Sequence, residues 1–359
     1  ILALLAAMAL APIMSQPNRL AATVTNWSNG LIAYGSSGDI FVVDPAGGEP
    51  RVLIGGTTTD DSPDWSPDGT RIAFTRAVGL GYAIMVADAD GSNLKQVTTD
   101  PYSDWQIFMW SPDGTQLVVA GTVAMKPVVT LAAADGSGTR DLALAVPADW
   151  GYWHPDGKSL LIRAVTSEGA GLYSLNLADG VLSDPIITSD TTSGIYATDR
   201  GASDLMWPSW SPDGSHIAYT NGQQVKDGRS GVFGGWDTRN HVVAADGTGD
   251  RVVEYAADSD YEDAATWSPD GTHLSMVIRT GQYHQVAIVD MVGDTPIVAT
   301  DQVSDPNGLG HVWSPDGTTI LSVRDADGIA ALVDPATGAS TKFPWLLGPT
   351  DWQPVSSGS

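Results

Sequence analysis

Trp65-Ser66-Pro67-Asp68-Gly69 decides the fold, because the chain writes this stretch again and again. It returns as Trp110–Gly114, Trp153-His154-Pro155-Asp156-Gly157, Trp210–Gly214, Trp267–Gly271 and Trp313–Gly317. A damaged copy, Trp27-Ser28-Asn29-Gly30, opens the series, and a fragment, Asp351-Trp352-Gln353-Pro354, closes it. From Trp65 onward the tryptophans lie 45, 43, 57, 57, 46 and 39 residues apart. A period of that size marks a repeat architecture, in which each unit is one supersecondary element stacked on its neighbours.

Each unit follows one script. A short strand ends in Trp, and Ser-Pro-Asp-Gly turns the chain, with Ser, Pro and Gly suited to positions i, i+1 and i+3 of a type I turn. A second strand follows, such as Arg71-Ile72-Ala73-Phe74-Thr75 or His216-Ile217-Ala218-Tyr219-Thr220. A third, such as Tyr82-Ala83-Ile84-Met85-Val86, runs into an Asp-Gly turn and then a brief fourth, such as Arg251-Val252-Val253. Regularly spaced β-branched and aromatic runs bounded by such turns predict antiparallel strands, and no long amphipathic helix is apparent. Four strands per unit at this period predict an all-β fold, a β-propeller of four-stranded antiparallel blades.

Second strands beginning at Leu31, Arg71, Gln116, Ser159, His216, His273 and Thr319 give seven blades, with six or eight as alternatives. The C-terminal strand Asp351–Pro354 is expected to pair beside Leu31–Tyr34 and close the ring, which removes the free sheet edge. The copy at Trp27 competes for that place. The chain divides into an apolar segment (1–14), a polar linker (15–25), the propeller (26–354) and a tail (355–359).

The Trp-Ser-Pro-Asp-Gly motif, the Ile-Ala-Phe/Tyr strand after it and the Asp-Gly hairpin resemble the PD40, or WD40-like, repeat of TolB-type propellers. The likeness runs over about residues 26–354 in six good copies. Similar propellers precede the hydrolase domain of some prolyl-oligopeptidase-like peptidases. TolB itself resembles a six-bladed ring preceded by a small α/β domain, which these 359 residues lack, and no length for a hydrolase domain follows Pro354. The resemblance therefore implies the fold and no particular activity.

Composition narrows the partners. A net charge of −25 argues against nucleic acid, whose phosphates need clustered Lys and Arg. Nearly all the acidity is Asp, the turn residue of each repeat, although a halophilic or calcium-rich setting would also account for it. With no cysteine, disulfides, thiolate catalysis and Cys-based zinc sites are excluded. Ile1 to Met14 is apolar and uncharged, the size of a signal-peptide core and, at ~1.5 Å per residue, too short to cross a ~30 Å bilayer interior alone. It is read as an export signal or a retained anchor, which places the protein in the periplasm, outside the cell or on the outer side of a membrane, with membrane contact only through residues 1–14.

Blade topology then separates two faces. Turns between first and second strands and between third and fourth emerge together, and all the short Ser-Pro-Asp-Gly and Asp-Gly turns belong there. Length variation belongs to the other face. Two excursions grow there beyond the usual loop, Ile187 to Pro208 leaving the fourth blade and Asn221 to Asn240 within the fifth. The second carries Lys226, Arg229, Trp236 and Arg239, a basic and aromatic island in an acidic protein. Loops entering blades three to five hold Asp104-Trp105 with Phe108, Asp149-Trp150 with Tyr152, and Asp204 with Met206 and Trp207. Asp258, Asp260, Glu262 and Asp263 precede the sixth blade. Aromatic faces beside carboxylates suit a sugar, a cationic peptide or calcium, while the structural alternative is that the rings pack between blades and the Asp residues cap turns.

No catalytic motif stands up. Gly151–Ser159 ends in Gly-Lys-Ser but has five residues between its glycines where a phosphate loop needs four, and no helix follows. The histidines His154, His216, His241, His273, His284 and His311 form no His-Glu-x-x-His, and no Gly-x-Ser-x-Gly is present. Asp258–Glu262 lacks the turn Gly and distal Glu of a calcium loop. Asn26-Trp27-Ser28 is a formal glycosylation sequon. The reading is a non-catalytic propeller that binds a protein or peptide, within an envelope complex, through the face of the blade 4 and 5 insertions. The alternative is a polysaccharide-binding module or a propeller lyase or hydrolase working through the Trp- and Asp-rich rim. No cofactor is required; calcium is the ion the rim would suit.

Overall fold

The computed structural model describes residues 27–99, 102, 107–123, 126–142, 144, 148–166, 169–188, 203–224, 236–253, 261–280, 283–293, 295–299, 303–304, 309–324, 329–346 and 350–356. Among them lie 29 strands and no helix, arranged as seven antiparallel sheets. Blade 1 contains β1 (Trp27–Ser36), β2 (Asp39–Val43) and β3 (Arg51–Ile54). Blade 2 contains β4 (Asp60–Trp65), β5 (Arg71–Val78), β6 (Gly81–Asp88) and β7 (Lys95–Gln96). Blade 3 is β8 (Ile107–Trp110), β9 (Gln116–Val123), β10 (Lys126–Ala133) and β11 (Thr139–Asp141). Blade 4 is β12 (Ala148–Trp153), β13 (Ser159–Thr166), β14 (Gly169–Asn176) and β15 (Ile187–Thr188). Blade 5 is β16 (Ser203–Trp210), β17 (His216–Gln224), β18 (Trp236–Ala244) and β19 (Arg251–Val252). Blade 6 is β20 (Tyr261–Trp267), β21 (His273–Thr280), β22 (Tyr283–Asp290) and β23 (Thr295–Ala299), with β24 (Val303–Ser304) beside β22. Blade 7 is β25 (Leu309–Trp313), β26 (Ile320–Arg324), β27 (Ile329–Val333) and β28 (Ser340–Leu346).

The last strand, β29 (Thr350–Ser356), returns to blade 1 and pairs with β1, matching Ile32 with Trp352 and Ala33 with Asp351. Seven blades closed by the C-terminal strand is therefore the architecture. First strands touch one another around the ring, β29 with β4, β8 with β12, β12 with β16, β16 with β20 and β25 with β29, so they line the central axis. Trp27 does not take the first-strand place. It belongs to the outer-lying β1, opposite Ser356, because β29 supplies the innermost strand of that blade.

The repeated tryptophans are mortar between blades. Trp65 packs with Ile40 and Val42 of blade 1, Trp110 with Ile84 and Val86 of blade 2, and Trp313 with Val286 and Ile288 of blade 6. Several also donate the indole N–H to the carbonyl just before the preceding blade's Trp. Trp110 reaches Asp64 at 3.0 Å, Trp153 reaches Met109 at 3.3 Å, Trp267 reaches Ser209 at 3.3 Å and Trp313 reaches Thr266 at 3.3 Å. One residue type thus supplies both the apolar area and the polar latch that register one blade on the next.

The Ser-Pro-Asp-Gly turns are internally satisfied. Gly69 N–H donates to the Ser66 carbonyl at 2.8 Å, and Gly69 adopts φ +68, as its five counterparts do at +69 to +74. Such a conformation costs a side chain ~1–2 kcal/mol, hence the Gly. Ser66 Oγ donates to Asp68 at 2.6 Å, and the Asp68 carboxylate also accepts from Thr70 N–H at 3.0 Å. Burial alone would raise the Asp68 carboxyl, but the bonds from Ser66 and Thr70 and the charge of Arg71 together hold it below the usual carboxylate range. His154 replaces the Ser in blade 4, placing Nδ1 2.8 Å from Asp156. The third-to-fourth-strand turns lie against these turns, as Ala89 N–H to Thr70 O at 2.8 Å and Ala245 N–H to Ser215 O at 2.8 Å show. The short turns therefore share one face, as the topology requires.

Candidate functional site

On the opposite face the first strands begin, and there the regular ladder breaks. Pairing of β4 with β5 slips between Asp61 and Asp64, and that of β12 with β13 between Asp149 and Tyr152. Blades 5 and 6 slip likewise, between Met206 and Ser209 and between Asp263 and Thr266. Each is a β-bulge two and three residues before the repeat Trp, and bulges re-aim side chains and bend strands at the rims of closed sheets. Trp150 and Trp207 occupy the same bulge position in neighbouring blades, and Asp149 and Asp263 share the position before it.

Trp207 is strained. Its φ is +44, in the left-handed region that bulky side chains avoid, and though the side chain is half-buried its indole Nε1 is buried, with no hydrogen-bond partner among the described residues. Ser62 has the same conformation in blade 2, φ +56, and each is followed by Pro. Holding a tryptophan so costs ~1–3 kcal/mol, a strain that persists only where surrounding structure enforces it and that clusters at binding sites.

The remaining candidates distribute as follows. Asp204 stands opposite Gly222, which stands opposite Thr238, so these three form one row across blade 5. Arg239 lies in the next row, opposite Asn221, and its Nη1–H donates to the Thr238 carbonyl at 3.0 Å. Trp236 ends that hairpin opposite Gln224. First strands β12, β16 and β20 are consecutive around the axis, so Asp149, Trp150, Asp204, Trp207 and Asp263 share one sector of the rim. Asp104, Trp105, Lys226, Arg229, Asp258 and Asp260 lie outside the described residues.

Two expectations need correction. The excursions are shorter than the sequence suggested, because their flanks are strand: β17 continues to Gln224, β18 starts at Trp236, and β15 and β16 take Ile187–Thr188 and Ser203–Trp210. The segments between these strands, 189–202 and 225–235, lie outside the described residues, and Arg239 belongs to a ladder and not to a loop. Phe108 and Tyr152 are buried between blades and do not face the rim. Their neighbours in blade cores explain both, since alternate residues of a strand face opposite ways.

Charged residues in the core escaped the repeat pattern. Arg163, nearly buried on β13, pairs in register with Asp149 and donates from Nη1 to the Leu205 carbonyl of blade 5 at 3.3 Å, bridging the two blades beneath the bulges. Arg76 grips the buried Asp60 with two bonds, 2.7 and 2.8 Å. A cation inside an otherwise apolar strand, Ile162-Arg163-Ala164, was the available signal. Tyr219 donates to Asp250 at 2.7 Å and stacks on His241 at 5.1 Å, and burial followed by the Asp250 bond raises its hydroxyl pKa. Burial lowers His311 to about 4, keeping it neutral. Among the described residues, no three His, Asp or Glu side chains converge as metal ligands would. Of the candidate side chains described, Trp207 and Arg239 are half-buried.

No protein-family model and no curated protein matches the chain. Solved structures do. TolB from Acinetobacter baumannii is 16% identical with a TM-score of 0.50 over 74% of this chain, which spans only 62% of that protein's length. An oligogalacturonate lyase in complex with manganese is 15% identical, TM-score 0.60, over 88% of this chain and 84% of its own. A prolyl endopeptidase is 11% identical, TM-score 0.60, over 97% of this chain and 52% of its own. At these identities the likeness is one of fold. In fold, the chain is a seven-bladed β-propeller, similar to TolB.

Proposed function

We propose that the protein is a non-catalytic β-propeller scaffold, exported or membrane-tethered through residues 1–14, that binds a protein or peptide at the rim of blades 4 to 6. The observation that carries this reading is Trp207, a tryptophan held at φ +44 in a bulge on a first strand. Its counterpart bulge in blade 4 also carries a tryptophan, Trp150. Strain invested in presenting an aromatic ring is characteristic of a contact surface. The opposite face supports the reading by contrast, since its aspartates are engaged in their own turns. Segments 1–14 and 15–25 remain expectations from sequence.

The test is a photo-crosslinking residue at Trp236, on the rim side, and another at Ser137, in a short turn, both in the native producing cells. A discrete protein adduct from position 236 alone is expected. Equal adducts from both positions would remove the proposed face. A second reading, polysaccharide binding or cleavage, is favoured by the same pairing of Trp and Asp on consecutive blades. Glycan-array binding that Trp207→Ala abolishes, with no protein adduct, would select it.

A further inference from the structure

The residue preceding each repeat Trp lies on a first strand, and across the blades these are Asp64, Met109, Tyr152, Ser209, Thr266, Val312 and Asp351. Two are acids, and they stand on β4 and β29, the touching first strands at the seam where the ring closes. Both are buried, at 9% and 8% exposure. Their carboxyl groups are hydrogen-bonded to each other. Two carboxylates have only acceptors to offer, so that bond requires a proton. Asp351 Oδ2 also accepts the Trp65 N–H at 2.7 Å, which seats its carboxyl against the residue next to Asp64. Burial, then the charge of Asp351, then the bond between them push the Asp64 carboxyl well above the usual range.

The charged neighbours are accounted for. On β4, Asp60 is tied to Arg76 of β5 at 2.7 Å, and Asp61, itself raised by burial, accepts the Ser62 N–H at 2.7 Å. Arg71 of β5 reaches away to the Gly114 carbonyl at 2.6 Å. Tyr34 of β1 is neutral, burial raising its hydroxyl, and the neutral His311 of β25 bonds the Ser275 backbone of blade 6.

We propose that one proton shared between Asp64 and Asp351 is a clasp on the ring, joining β29 to β4 across the seam, and that its loss sets two buried charges against each other so that closure loosens as pH rises. The sign follows from linkage. An acid whose folded pKa is raised contributes stability in full below its unfolded value, near ~3.9, and loses it as pH climbs through the folded value, at up to about tenfold in equilibrium constant per pH unit.

Hydrogen exchange on the full chain tests this, comparing protection of β29 amides with β13 amides, four blades' sequence away, between about pH 5 and 8. The β29-to-β13 protection ratio is expected to fall as pH rises in the wild type. It should stay flat in Asp64→Asn, whose amide donates to Asp351 at every pH, and in Asp351→Asn, which removes the like charge. A flat ratio in the wild type, or an unchanged slope in Asp64→Asn, overturns the proposal. If neither variant folds, carbon-detected titration of the wild-type Asp64 carboxyl decides, and an ordinary aspartate value there refutes the clasp.

Discussion

Substituting alanine at Gly69 and at Gly157 separates what the repeat turn needs from what ring closure needs. Both glycines occupy the same turn position with nearly the same backbone, φ +68 and +71. A Cβ at Gly157 meets nothing nearer than Pro112 Cδ at 3.9 Å, so only the left-handed penalty remains, ~1–2 kcal/mol. A Cβ at Gly69 would collide with the carbonyl oxygen of Pro354, on the closing strand, and lie 3.3 Å from Gln353 Cγ. Relief requires β29 to retreat, which also strains the 2.8 Å bond from Gln353 Nε2 to the Gly69 carbonyl. Added to the left-handed penalty, overpacking at ~1–3 kcal/mol and a weakened hydrogen bond at ~1 kcal/mol bring Gly69→Ala to ~3–6 kcal/mol. Urea unfolding followed by tryptophan fluorescence measures both. Losses of equal size, or a larger loss at Gly157, would refute the assignment of β29 as a lock bearing on the blade 2 turn.

Trp110→Phe should cost ~1 kcal/mol more than Trp65→Phe, because Trp110 Nε1 bonds the Asp64 carbonyl at 3.0 Å whereas Trp65 Nε1 has no partner among the described residues; calorimetry on both variants checks this. Asp60→Asn leaves Arg76 facing a neutral amide across a buried pair and should cost ~3 kcal/mol, measured by denaturant midpoint at neutral pH. The turn aspartates Asp68, Asp113, Asp213, Asp270 and Asp316 are held low, so their contribution is present above ~3.9 and lost as pH falls through their folded values. Asp213→Asn should therefore lower stability at neutral pH, where that contribution is otherwise present, and flatten the acid limb of the stability profile measured by denaturant midpoint across pH. Trp207→Gly should lose little stability, or gain it, since relief of ~1–2 kcal/mol of strain offsets lost contacts; a loss above ~3 kcal/mol in thermal unfolding would show the indole to be a packing residue.

The fold was legible because the repeat speaks in local chemistry. Ser66 through Gly69 specify their own turn, and Trp65 specifies the stacking of blades, so neither depends on distant context. Ring closure was legible for the same reason, since Asp351-Trp352 reads as a first strand lacking its blade. The rim was only half legible. Asp149, Trp150, Asp204 and Trp207 stood out by composition, yet Phe108 and Tyr152 shared that composition and went to the core. Tyr152 follows a bulge, a one-residue slip that reverses which face a side chain takes and that no residue type announces, whereas Phe108 lies on the unbroken β8 ladder and is sorted by plain alternation. Arg239 was misread for a related reason: a hairpin extending to Gln224 and Trp236 looks like a loop when its residues are polar. Arg163 and the Asp64–Asp351 pair depend on contacts between blades, which a repeat-by-repeat reading passes over.

The claim at the centre of this account is that one face builds the ring and the other binds. It is met most directly by the affinity of the protein crosslinked from position 236 for two variants of equal stability, Trp150→Ala/Trp207→Ala at the rim and Asp90→Asn/Asp246→Asn in the short turns. The rim variant is expected to bind at least about tenfold more weakly, as loss of anchoring aromatics does, with the turn variant unchanged. Unimpaired binding by the rim variant, or weakening by the turn variant alone, would contradict it.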